Sequence, residues 1–420
     1  MTREMKDSSI EWIGKIPQHW LLERLQWHLY EIKNKNNPIV TKNVLSLTKD
    51  RGVIPYEEKG AQGNISKENY SEYHLAYKDT IVANSMNILI GSVGYSNYLG
   101  CVSPVYYVFK EKKGNNLRFI NYVMQTTQFQ KELRKYANGI LEIRLRLSSD
   151  DILKRMVAFP PTNEQKKIAD YLDKKCAEIN SIVTDIQKQI EVLEQYKRST
   201  ITEAVTKGLN PDAEMKVSRI FYMAPYNKKW HLSKIGYECS KLQRPICETE
   251  NEALICSNKG KVCIRPKEMS GKMVSEDHAM QGIKKNDIAI HGMDTWHGAI
   301  AYSEYNGKIT RVVHVCDSKQ EKRFVVYYMQ HLAFQGVYKL ISDGIRGNTS
   351  DFRSWEKVKD IYIAFPSYAE QKEIADYLDK KCAEIESIIA DKKAQLDVIE
   401  KYKRSLIYEY VTGKKEVVDE

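Results

Sequence analysis

One stretch of this chain is written twice. Residues Glu164 to Ser181 read EQKKIADYLDKKCAEINS, and residues Glu370 to Ser387 read EQKEIADYLDKKCAEIES, 206 positions further on. Of the 18 paired positions, 16 are identical; only Lys167/Glu373 and Asn180/Glu386 differ. The correspondence runs on to the YKRS segments at Tyr196 to Ser199 and Tyr402 to Ser405. The segments that precede each copy have diverged far more. A chain with two alike helical units and two unlike globular ones can only be a tandem duplication: domain, helix, domain, helix.

The repeated segment has the periodicity of a coiled coil. Its apolar seam falls at Leu172, Cys176, Ile179, Val183, Ile186, Ile190 and Leu193, spaced by alternating fours and threes. The second copy places Leu378, Cys382, Ile385, Ile389, Leu396 and Ile399 in the same seam, with Lys392 where the first copy has Ile186. Lys392 is expected to carry its ammonium out to solvent along its own stem. Thr162-Asn-Glu-Gln165 and Ser367-Tyr-Ala-Glu370, after Pro160-Pro161 and Pro366, read as capping boxes that start the helices. Gly208 and Gly413 are the expected ends. Each helix then runs about 40 residues, or about 60 Å. A helix with one apolar seam cannot bury it alone, so the two are expected to pair antiparallel, with the globular units at opposite ends of a rod.

This gives boundaries of 1–158 for a first globular domain, 159–215 for a central helix, 216–364 for a second globular domain and 365–420 for a distal helix. Faint matches survive between the globular units. Trp20 parallels Trp230, Met86 parallels Met293, and Gly91-Ser-Val-Gly-Tyr-Ser parallels Gly298-Ala-Ile-Ala-Tyr-Ser. Arg118 and Tyr122 parallel Arg323 and Tyr327. Alternating runs at Cys101 to Phe109 and Thr310 to Cys316 read as strands, and Leu117 to Tyr136 and Lys322 to Leu340 as helices. The fold class is therefore α+β, with two mixed α/β domains joined by two long helices.

Composition narrows the partners. With 65 basic and 55 acidic residues the chain carries a net charge of +10, which favours an anionic partner such as nucleic acid. No apolar run is long enough for a membrane span, and the start MTREMKDSSIEWIG has no apolar signal core, so a cytoplasmic protein without membrane contact is expected. The eight cysteines (101, 176, 239, 247, 256, 263, 316 and 382) form no CxxC or zinc-ribbon spacing. Cys176 and Cys382 lie on the apolar face and read as core residues; no metal site is expected. No phosphate-binding loop, dinucleotide fingerprint, nucleophile elbow or methyltransferase Asn/Asp-Pro-Pro-Tyr is present, so no catalytic residue is assigned.

Several segments carry a resemblance over the whole chain. The start Ser9-Ile-Glu-Trp-Ile-Gly-Lys-Ile-Pro-Gln-His-Trp20, Val44-Leu-Ser-Leu-Thr-Lys-Asp-Arg-Gly-Val-Ile-Pro55, Asn84-Ser-Met-Asn87, Ser103-Pro-Val-Tyr-Tyr-Val108 and the repeated Pro-x-x-x-Glu-Gln-x-x-Ile-x-x-Leu helix start resemble the specificity subunits of type I restriction–modification systems. The second globular unit matches poorly outside Asp287 to Tyr302 and Asp343 to Asp351. The resemblance implies two target recognition domains, each reading half of a split, asymmetric site in double-stranded DNA. It implies an antiparallel coiled coil that sets the spacing and docks two modification (methylase) subunits, with restriction/translocase subunits completing the complex. S-adenosylmethionine, ATP and Mg are then expected on those partners and no cofactor on this chain. The competing readings are a stand-alone DNA-modifying enzyme and a coiled-coil adaptor that binds protein only.

If the first unit is a reader, its DNA contacts are expected from Lys49 and Arg51, from Asn84, Ser85 and Asn87, and from Arg144 and Arg146, which alternate in EIRLRL and so face one way. In the second unit they are expected from His291, Asp294, Thr295, Trp296 and His297 in HGMDTWHG, and from Arg346 and Asn348 in GIRGNTSD. Forked and amide side chains suit base edges, and lysines and arginines suit phosphates; phosphate positioning or a surface ladder is the alternative role for Arg144 and Arg146, and a core position the alternative for Trp296. The duplication also makes a fragment prediction. A chain ending near Asn210 holds one reader and one seam, and is expected to form a two-fold dimer in light scattering; a strict monomer would reject seam-to-seam pairing.

Overall fold

The computed structural model describes residues 3–48, 51–59, 69–112, 114–137, 146–250, 252–266, 277–342 and 352–418. Two compact units emerge, one of Met1–Ile186 with Ala394–Glu420, the other of Gln187–Lys393. Each contains one globular domain, the first half of one long helix and the second half of the other. The boundaries at 158/159 and 364/365 fall within the strands Met156–Phe159 and Tyr362–Phe365, one residue before their ends, inside the core that each globular domain shares with the helices.

In the first unit a four-stranded antiparallel sheet has the spatial order Leu29–Ile32, Tyr106–Glu111, Thr80–Asn84, Val93–Ser96. The strand Thr80–Asn84 is buried along its whole length because both faces are covered. Alternation sends Ile81 and Ala83 into the main core with Phe109, Phe119 and Ile120, and sends Val82 into a second core with Leu45, Val53, Ala76 and Val108. The hairpin Leu45–Thr48/Gly52–Pro55 supplies that second layer. It packs onto Gly94, where a Cβ would meet Leu47 Cδ1 at 2.9 Å and Gly52 Cα at 3.1 Å.

The second unit repeats this plan. Its sheet has the order Cys239–Lys241, Val313–Ser318, Ile288–His291, Ile300–Tyr302. Ile288 and Ile290 face the main core, while Ala289 faces a second core with Leu254, Cys256 and Val262 from the hairpin Leu254–Ser257/Lys261–Ile264. Two details depart from the sequence reading. Neither alternating run is one strand: Cys101 lies in the strand Gly100–Val102 and the next begins at Tyr106, while Thr310 ends the strand Gly307–Thr310 and the next begins at Val313. The helical stretches are each broken in two, as Leu117–Gln125 with Thr127–Arg134 and Lys322–Phe334 with Val337–Leu340, the first break capped by the Thr126 hydroxyl.

The long helices span Thr162–Lys207 and Tyr368–Val411, each ended by a left-handed glycine, Gly208 at φ +89° and Gly413 at φ +71°. Ser367 caps the second, its hydroxyl accepting from Glu370 N at 3.3 Å. The first has no such cap. Helix begins at Thr162 itself, and Pro161 O accepts from Glu164 N and Gln165 N. The proline ring has fixed the backbone one residue earlier than the capping box requires.

Antiparallel pairing is visible inside each unit. In the first, Tyr171 packs on Tyr410 at 4.6 Å between ring centres and Lys403 Nζ donates to Asn180 Oδ1 at 2.7 Å. In the second, Lys197 pairs with Glu386 at 2.5 Å and Lys392 Nζ donates to Gln189 Oε1 at 2.5 Å. Lys392 is thus held by a helix neighbour rather than left to water. Along the predicted seam, Leu172, Cys176, Ile179, Ile186, Leu378, Cys382, Ile385 and Ile389 are buried; Val183, Ile190, Leu193, Leu396 and Ile399 are half-buried. Burial pushes the Cys176 and Cys382 thiols up, and both are free cysteines, consistent with packing.

The near-identity of the two helix segments has a direct structural counterpart. Gln165 is buried, its Oε1 accepting from Asn116 N at 3.0 Å and its Nε2 donating to Pro160 O at 3.0 Å. Gln371 does the same with Glu321 N and Pro366 O, also at 3.0 Å each. Arg118 bridges Asp170 and Asp173, and Tyr122 donates to Asp173 at 2.7 Å. Arg323 bridges Asp376 and Asp379, and Tyr327 donates to Asp379 at 2.7 Å. Truncating Gln165 to Ala leaves a buried amide N–H and a carbonyl unpaired, each costing about 1–3 kcal/mol. The expected outcome is faster amide hydrogen exchange through the first unit with the second unit unchanged, and the converse for Gln371→Ala.

Candidate nucleic-acid interface

Each unit carries an exposed turn at the end of a buried strand of its central sheet. In the first, Asn84 closes the strand, and its Oδ1 accepts from Met86 N at 3.0 Å. Asn87 N donates to Asn84 O, a short 3-10 turn Ile88–Ile90 follows, and Gly91 at φ +93° ends it. Ser92 N returns to Asn87 O at 3.0 Å. A turn tied at both ends presents Met86, Asn87 and Ile90 outward, with Met86 40% and Ile90 70% exposed.

The second unit builds the same turn with different chemistry. His291 takes the place of Asn84, and its Nδ1 accepts from Met293 N at 3.3 Å and Asp294 N at 3.1 Å. Accepting two N–H groups requires a neutral ring, and burial holds the His291 pKa below its usual value. The 3-10 turn Thr295–His297 ends at Gly298, φ +82°. His297 is exposed and Asp294 and Trp296 half-exposed, whereas Thr295 is fully buried.

A second segment closes on each turn. Leu147 N donates to Ser85 O at 3.2 Å, and Phe352 N donates to Gly292 O at 3.0 Å. Gly292 has no room for a side chain, since a Cβ would lie 2.9 Å from both Arg353 Cα and Phe352 O. The closing segment sets exposed Arg146, the residue before Leu147, next to the turn that carries Asn87.

The sequence-predicted residues therefore divide. Asn87, Arg146, Asp294, Trp296 and His297 come together at accessible turns. Asn84 and His291 brace those turns, Ser85 and Thr295 are buried, and the backbone of Ser85 holds the closing segment. Trp296 Nε1 has no partner among the described residues although its ring is partly buried. Arg51 is exposed at its hairpin and donates to Glu58 O at 2.7 Å. Lys49, Arg144, Arg346 and Asn348 lie outside the described residues. Sequence reading missed Met86 and Ile90, whose exposure follows from a turn geometry that composition does not reveal. It noted Arg118, Tyr122, Arg323 and Tyr327 as parallels without seeing that they grip the helices.

Among the described residues no helix is long and apolar enough to cross a membrane, and no cluster of three His, Cys, Asp or Glu side chains is placed to hold a metal ion.

Residues 28–192 match the family model described as the type I restriction modification DNA specificity domain. The chain is 23% identical over 431 residues to a putative type I restriction enzyme MjaX specificity subunit of Methanocaldococcus jannaschii, covering 96% of this chain and 95% of that one. It is 24% identical over 285 residues to the type I restriction enzyme MjaVIII specificity subunit of the same organism, covering 61% of each chain. A solved chain from work on complex assembly and conformational transition of the type I R-M system shares the fold, with a TM-score of 0.67 at 10% identity, covering 95% of this chain and 99% of that one. Over nearly its whole length the chain is similar to specificity subunits of type I restriction–modification systems, and it shares the fold of a solved chain from work on such a system.

The turn geometry predicts unequal effects of mutation, measured on the complex assembled with its partner subunits. Arg146→Ala is expected to cost about 1–3 kcal/mol on the cognate duplex and to relax discrimination at one position. Equal loss on cognate and scrambled duplexes, with a salt dependence flatter by about one phosphate contact, would assign Arg146 to the backbone instead.

Proposed function

We propose that each unit reads one half of a split, asymmetric site in double-stranded DNA through its turn and closing segment. The observation that carries this is the contrast between the two parts of each unit. Gln165/Gln371, Arg118/Arg323 and Tyr122/Tyr327 make the same helix contacts twice. The turns differ at Asn87 and Ile90 against Asp294 and His297, and share a methionine at Met86 and Met293. One scaffold with two surfaces suits two different half-sites. The seam-paired helices would fix the distance between those half-sites and offer two equivalent docking surfaces to two modification subunits. Restriction/translocase subunits would complete the complex. S-adenosylmethionine for adenine methylation, and ATP and Mg for translocation and cleavage, would be held by those partners.

Co-expression with the cognate modification subunit in an unmethylated host, followed by genome-wide mapping of methyladenine, tests this. The expected result is a split, asymmetric motif methylated on both strands. Methylation at a single continuous motif, or none from an assembled complex, would reject two-reader recognition and favour a protein-binding adaptor.

A further inference from the structure

The segments that close on the turns are held a second time from the central sheet. Tyr107 lies in the strand Tyr106–Glu111, and its hydroxyl donates to Leu147 O at 3.0 Å. His314 lies in the strand Val313–Ser318, and its Nε2 meets Phe352 O at 2.7 Å. The two positions are equivalent in register. Tyr107 pairs with Ala83, one residue before Asn84; His314 pairs with Ile290, one residue before His291. Leu147 and Phe352 are the residues whose N–H groups close on Ser85 O and Gly292 O. Each anchor residue is thus pinned through both backbone groups, its N–H by the turn and its C=O by one side chain of the sheet.

The two side chains use different chemistry. A carbonyl only accepts, so His314 Nε2 carries the proton. Its Nδ1 is then a buried acceptor without a partner among the described residues. His314 is 1% exposed and packs against Trp355 at 5.6 Å. Burial lowers its pKa and raises that of Tyr107, which keeps the imidazole neutral and the phenol protonated. A buried acceptor left open costs stability, and the site retains it. That cost is consistent with a position under constraint from the anchor rather than from packing.

We propose that Tyr107 and His314 are positioning residues for DNA recognition, each setting the specificity of its own half-site by fixing the closing segment against the turn. The inference rests on the two-reader function above. Neither side chain need touch DNA. Tyr107 governs the placement of Arg146 relative to Asn87, and His314 governs the placement of Arg353 and the Gly292 end of the second turn.

The test uses the full chain co-expressed with its modification subunit and sequencing of methylated adenines at cognate and singly substituted sites. Tyr107→Phe is expected to reduce discrimination about fivefold to tenfold at one half-site only, the loss of one hydrogen bond. His314→Leu is expected to do so at the other half-site only, and His314→Gln, which keeps a donor amide, to restore most of it. Amide exchange should quicken at Leu147 or Phe352 alone. Equal loss at both half-sites, or unchanged discrimination despite faster exchange, would overturn the inference while leaving two-reader recognition standing. A wild-type complex that shows no split motif would instead overturn the underlying reading.

Discussion

The buried amides of Gln165 and Gln371 are the hinge pins of this architecture. Each stands at the start of a long helix and ties that helix to its globular domain. It accepts from the backbone that starts a domain helix, donates to the proline carbonyl that precedes its own helix, and is almost wholly buried. A buried amide must have its partners, because each unpaired group costs a large share of a domain's stability. The Arg118 and Arg323 ion pairs with helix aspartates, joined by Tyr122 and Tyr327, extend the same grip one turn along. These residues are tied to the helix residues they hold, which accounts for Gln165, Asp170 and Asp173 recurring as Gln371, Asp376 and Asp379.

The exposed turns obey a looser constraint. What they need is a side chain that accepts from the backbone two or three residues ahead, and a glycine that ends the turn. Asn84 and His291 both meet the first need, though one is an amide and the other an imidazole. Gly91 and Gly298 meet the second. Between these fixed points the outward residues are free to change. The scaffold thus separates residues that hold geometry from residues that face solvent, and only the latter need differ for two surfaces to meet two different partners.

Much of the fold was legible in the sequence. The repeat located both helices, the seam spacing predicted their pairing, and Gly208 and Gly413 marked their ends. The first helix start was misplaced because Pro161, not Thr162, sets the backbone there. The candidate site was less legible. HGMDTWHG and Asn84-Ser-Met-Asn stood out as polar runs, and both are turns. Which side chains face outward was not readable, because an Asn that braces a turn and an Asn that meets a ligand look alike in a sequence. Asn84 and His291 point inward to backbone N–H groups, and Thr295 is buried. Tyr107 and His314 escaped notice because their role depends on a strand register shared by two unlike residues.

The central claim is that the two units hold their surfaces on equivalent scaffolds and act separately. The most direct measurement is to replace residues 1–158 with the corresponding segment of a related specificity subunit, keep both long helices, and map methyladenine from the assembled complex. The account predicts that one half of the split motif changes and the other half and the spacing stay as they were. A change in both halves, or a change in neither, would contradict it.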